Sequence, residues 1–163
     1  MEIHALAIPV HAVAASFVVL LGPVNILRRR RDAAHRVIGR TFVVMMYLVC
    51  VSGMFIYSLS GGLTLFHALA VFTFATTTLG VIAIRRRRIA SHIGNMVGSW
   101  AGAVAAGAFA ALVPGRYLPS LAISDPAALW GTAAAVAVAA TAWIVVVLVL
   151  LGRGQRAPSA SPR

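Results

Sequence analysis

The 163-residue chain is 61% apolar and only 10% charged, whereas a water-facing domain carries about a quarter charged residues; with a mean hydropathy of +0.94, a soluble globular domain is excluded. A formal charge of +11 and a pI near 11.9 would suggest nucleic acid in a soluble protein, but placement excludes that as well. All fourteen basic residues are arginines, and thirteen of them cluster at two loops and the C-terminal tail.

Five uninterrupted apolar runs cover residues 5–27, 37–59, 63–84, 93–113 and 127–151. A helix crossing ~30 Å of hydrocarbon needs roughly 20 residues, and each run is long enough. A spanning barrel would need alternating apolar and polar residues, and nothing here alternates. The expected fold class is all-α and integral to the membrane: a four-helix transmembrane bundle plus a fifth, peripheral transmembrane helix. Residues 1–151 form one domain in this reading, and 152–163, rich in Arg, Gly, Pro and Ser, form a disordered cytoplasmic tail.

Taken in order, the N-terminal Met1-Glu2-Ile3-His4 lacks the basic stretch of a cleavable signal, so the first run is read as a retained span. The loop after it contains Asp32, a candidate N-cap for span two. Cys50, the single cysteine, lies within that span as a small buried residue. Ser60-Gly61-Gly62 makes a short turn into span three, so spans two and three are antiparallel neighbours. Ser91 is the expected N-cap of span four, where Gly94, Gly98 and Gly102 repeat at four-residue spacing, a pattern that lets helices approach closely in lipid. The loop at 114–126 ends in Ser124-Asp125-Pro126, a cap followed by proline at the first helical position. Span five carries Trp130 and Trp143 but no histidine or charge, and is expected to pack outside the bundle.

Arginine marks the cytoplasmic side of a membrane protein. Arg28, Arg29, Arg30, Arg31, Arg36 and Arg40 flank loop one, Arg85, Arg86, Arg87 and Arg88 fill loop three, and Arg153, Arg156 and Arg163 lie in the tail, against Arg116 alone on the other side. The N-terminus is therefore expected outside and the C-terminus in the cytoplasm of a multi-pass cell-membrane protein. The two tetrads, residues 28–31 and 85–88, are expected to hold anionic lipid head groups at roughly 1 kcal/mol per arginine.

The spans contain no Asp or Glu, which removes carboxylate proton carriers and acid–base pairs. Histidine remains, and an ionisable group at membrane depth is a functional candidate. His11, His35, His67 and His92 fall one to each of spans one to four. His11 precedes Arg28 by 17 residues and His67 precedes Arg85 by 18, so both lie ~26 Å from the arginine level. His35 and His92 lie beside it. An outer pair on spans one and three and an inner pair on spans two and four are the two diagonals of a sequentially connected bundle. Such pairs suit two b-type haems, each iron taking one imidazole from either side. Gly22, Gly39, Gly53, Ser99, Ala103 and Ala110 lie at heights and on faces that would leave room for the macrocycles. Against this, interfacial histidines also snorkel, and buried ones also hydrogen-bond neighbouring helices. His4, on the face of His11, is read as solvated or as a supporting group.

The segment His35-Arg36-Val37-Ile38-Gly39-Arg40, with Gly22-Pro23 before it and Ser91-His92 and Met96 after it, resembles a family of small bacterial membrane proteins catalogued as domain of unknown function 2306. The resemblance covers residues 8–116. Asn95 and Val97 stand where the family pattern has a tryptophan and an arginine. Membership implies no activity. The histidine design is similar to dihaem cytochrome b561-type bundles, an analogy of site only.

The leading expectation is a transmembrane electron carrier with two haems, His11 with His67 and His35 with His92, serving a quinone or another redox partner. A cofactor-free structural or assembly subunit is the alternative. Copper handling by His11, His67 and Met54 follows, since imidazole and thioether suit copper.

Overall fold

A computed structural model describes residues 2–56, 64–112 and 117–153. The Ser60-Gly61-Gly62 turn, the His4 side chain, Arg116 and the tail from residue 154 lie outside the described residues. Six helices follow one another: α1 Glu2–Leu27, α2 Ala33–Met54, α3 Leu65–Arg85, α4 Ile89–Leu112, α5 Tyr117–Ser124 and α6 Pro126–Arg153. Five of them, all but α5, are long and apolar enough to cross a membrane. Among the described residues there is no strand.

The first four long helices form a ring. α1 packs on α2, α2 on α3, α3 on α4, and α4 returns to α1, while the backbones of the diagonal pairs, α1 with α3 and α2 with α4, stay more than 8 Å apart between Cα atoms among the described residues. The core runs along one stripe of α2, from Ala34 through Ile38, Phe42 and Met46 to Cys50, against Val18 and Leu21 of α1. Cys50 is a buried free thiol. α6 lies outside the ring against α1 and α2, contributing Val147 to the core. Large apolar side chains on the outer surfaces, such as Val71, Phe72, Val138 and Leu150, are exposed, as lipid-facing positions require.

Helix ends follow local chemistry. The Asp32 carboxylate accepts the His35 backbone N–H at 3.0 Å, so α2 starts at Ala33, four residues before the apolar run, and it ends at Met54. Asp125 accepts the Ala128 N–H at 2.9 Å, with Pro126 opening α6 as expected. Ser91 is not a cap. α3 closes in a Schellman turn in which the Arg88 N–H donates to the Ala83 carbonyl at 2.9 Å and the Arg87 N–H to the Ile84 carbonyl at 3.0 Å. The chain then re-enters a helix at Ile89, leaving Ser91 inside it. Arg87, at φ 57°, occupies the left-handed position usually given to glycine.

Two expectations need correction. A Cβ built at Gly94, Gly98 or Gly102 meets nothing within 4 Å, so this stripe makes no helix contact among the described residues. α4 instead meets its neighbours through Asn95, Met96, Ser99 and Trp100, on its other side. The loop at 114–126 contains the eight-residue helix α5, which packs on α4 and α6. Its Pro119 falls in the first turn, where a missing N–H costs nothing.

Candidate functional site

The four histidines occupy two ends of the ring. His35 opens α2 and His92 opens α4, beside the arginine loops, and they are close enough to interact electrostatically. At the other end, His11 of α1 reaches the last turns of α2, and His67 lies in the first turn of α3. Each end thus takes its two histidines from helices that are diagonal to each other in the ring.

The rings are held in two ways. His11 Nδ1 donates to the Val49 carbonyl at 3.0 Å and lies 3.2 Å from Ser52 Oγ. His92 Nδ1 donates to the Gly80 carbonyl at 2.9 Å. A carbonyl only accepts, so Nδ1 carries a proton in both rings, and the neutral form of each has its lone pair on Nε2. That is the orientation in which backbone carbonyls hold metal-binding imidazoles. His67 is the reverse: its Nδ1 accepts the Thr64 backbone N–H at 2.9 Å, which puts its proton on Nε2. The ring closes a capping box at the start of α3. His35 Nδ1 faces the Arg31 guanidinium at 3.4 Å, and its own carbonyl accepts from Asn25 Nδ2 at 3.2 Å.

The glycines expected to leave room do so for this chain's own side chains. Gly53 faces the His11 ring, with 3.4 Å from a built Cβ to Cε1, and Gly39 faces Asn25 at 3.0 Å. A Cβ at Gly22 would collide with the Trp100 indole, and one at Gly80 with Met96. These glycines therefore seat a ring, an amide or a thioether rather than lining a cavity. Among the described residues no three His, Cys, Asp or Glu side chains come together as a metal cluster.

Sequence inspection missed Asn25 and Trp100, whose partners are backbone carbonyls of other helices, and Thr64, which pairs with the His67 ring three residues on. One signal was present. Pro23 lacks an N–H, so the carbonyl four residues earlier, Val19, must find another donor. Trp100 Nε1 supplies it at 3.3 Å.

At the arginine end, Arg28 and Asp32 form an ion pair at 2.5 Å. The Arg28 hydrogen bond, reinforced by the His35 N–H, draws the Asp32 carboxyl down to about 2. Arg31 also donates to the Asn25 carbonyl at 3.1 Å. These contacts fix two of the arginines of the first tetrad, while Arg29 and Arg30 remain exposed.

With this geometry in place, a family model described as "Predicted membrane protein (DUF2306)" matches residues 8–151. The chain belongs to that family. The match runs past residue 116 and takes in α6, so the fifth transmembrane helix is part of what DUF2306 proteins share with this chain. His11, Gly22, Pro23, His35, Gly39, His67, His92 and Met96 all fall within it. No curated protein and no solved structure matches.

Proposed function

We propose that this DUF2306 protein is a transmembrane electron carrier holding two b-type haems, His11 with His67 at one end and His35 with His92 at the arginine end. It would pass electrons between an outer donor and a cytoplasmic or quinone acceptor, with the N-terminus outside and the C-terminus inside. The supporting observation is the placement of one histidine on each ring helix, two at each end, on diagonal helices. His11 and His92 already keep Nε2 lone pairs. Loading the other end of each pair requires His67 to give up its cap on Thr64 and His35 to turn from Arg31, and the Trp100 ring over Gly22 to move aside. What the haem would supply is one-electron chemistry; what this chain supplies is two imidazoles per level and an apolar bundle around them.

The visible spectrum of protein purified from haem-replete cells tests this. A red protein is expected, with His11→Ala and His67→Ala each removing the same half of the pigment and their combination removing no more, because ligand pairs act as a unit. Colourless protein would overturn it. The reading that would then stand is a cofactor-free structural subunit, which the His67 capping box and the filled glycine seats favour.

A further inference from the structure

Halfway along the bundle lies a belt of hydroxyls that the haem reading does not use. Tyr47 Oη lies 3.0 Å from Thr78 Oγ1, and Thr76 Oγ1 lies 2.9 Å from Ser99 Oγ. These bonds tie α2, α3 and α4 together at one depth. Thr76 and Thr78 also donate back to the Phe72 and Phe74 carbonyls, at 3.0 and 2.8 Å.

Thr73 and Thr77 lie between them on the inward side of α3, exposed by 6% and 0%. Thr77 Oγ1 is buried and meets no hydrogen-bond partner among the described residues. The usual remedy for a threonine inside a helix is to bond the carbonyl four residues back. That carbonyl belongs to Thr73, which accepts the helical bond from the Thr77 N–H and has Thr76 Oγ1 beside it at 3.1 Å. Thr77 Oγ1 makes no bond to it. Its side chain is fully enclosed, so it cannot reach lipid or solvent either. Buried polar groups are paired, commonly through an ordered water. Side chains one helical turn apart stand about 5–6 Å from each other between Cβ atoms, a gap that one water spans with two hydrogen bonds of ~2.8 Å.

We propose that Thr73 and Thr77 hold an internal water at the centre of the bundle. This water completes the hydroxyl belt between α2, α3 and α4, and makes mid-membrane a hydrated point in an otherwise apolar core. The site does not depend on iron, and it stands or falls apart from the electron-carrier reading.

Valine matches threonine in shape and lacks the hydroxyl, which makes the sign of its effect decisive. A truly orphaned hydroxyl is better removed, whereas one that holds a water is missed. Thermal unfolding of the full chain in detergent is expected to show a lower midpoint for Thr77→Val and for Thr73→Val. The double variant should unfold no earlier than the worse single variant, because both lose the same water. A raised midpoint for Thr77→Val would overturn the proposal, and so would two losses that simply add.

Discussion

Trp100 donates its indole N–H to the Val19 carbonyl, 81 residues away, at 3.3 Å, and that carbonyl is the one Pro23 leaves without a helical donor. Gly22, beside the proline, leaves the space the indole fills. Gly22-Pro23 is thus one device: the proline frees an acceptor and the glycine admits its partner. Trp100→Phe should keep most of the packing and strand the carbonyl, at a cost of about 1–3 kcal/mol. Pro23→Ala restores a donor to Val19, so in that background Trp100→Phe should cost distinctly less. Equal costs in both backgrounds, measured by unfolding in detergent, would show that the bond carries no energy.

Asp32 does two jobs, capping α2 through the His35 N–H and pairing with Arg28. Asp32→Asn keeps a cap and loses the ion pair; Asp32→Ala loses both and should cost about 1 kcal/mol more. The pH dependence has a definite sign. A carboxyl drawn down to about 2 in the fold, against ~3.9 in an unfolded chain, stabilises above pH ~4. That contribution is lost as pH falls towards 2. A wild-type midpoint that drops more steeply than that of Asp32→Asn over this interval checks it.

Arg87 adopts the left-handed conformation at the end of α3, where a residue with a Cβ is penalised by about 1 kcal/mol relative to glycine. Arg87→Gly should therefore raise the unfolding midpoint while removing one cation from the loop-three tetrad. If that tetrad holds acidic phospholipid, retention of the lipid through purification should fall about fivefold, in line with ~1 kcal/mol per arginine. Gain of stability without loss of lipid would remove Arg87 from the head-group contact.

The arginine distribution predicts topology. A reporter active only outside the cell should work when inserted between Gly115 and Arg116, and fail when placed in the loop at residues 86–88 or after Arg163. Activity at the C-terminal position would reverse the assigned orientation or remove a span.

How much of this could be read from residues alone depended on what each signal measures. Hydropathy reports transfer into lipid, so it located five spans but not the start of α2, which Asp32 sets four residues before the apolar run. The caps at Asp32 and Asp125 were legible because their chemistry is local. The levels of the four histidines were legible too, since a helix converts residue number into height. Ring orientation was not, because it depends on which backbone group of another helix, Val49 for His11 or Gly80 for His92, happens to lie opposite. The α4 glycines show the same limit: small residues permit a close neighbour but do not supply one.

The ring closes between its first and last members, α1 and α4, and this order matters during synthesis. Hairpins α1–α2 and α3–α4 join consecutive helices, so the contacts of each become available once its second helix is made. The α1–α4 seam has to wait until nearly two-thirds of the chain is made. Until Trp100 emerges, the groove at Gly22 faces the bilayer with its Val19 carbonyl exposed to hydrocarbon, where no water stands in. A nascent chain paused between α2 and α4 is therefore at its most vulnerable at this groove. The arrival of one indole turns two hairpins into a closed bundle.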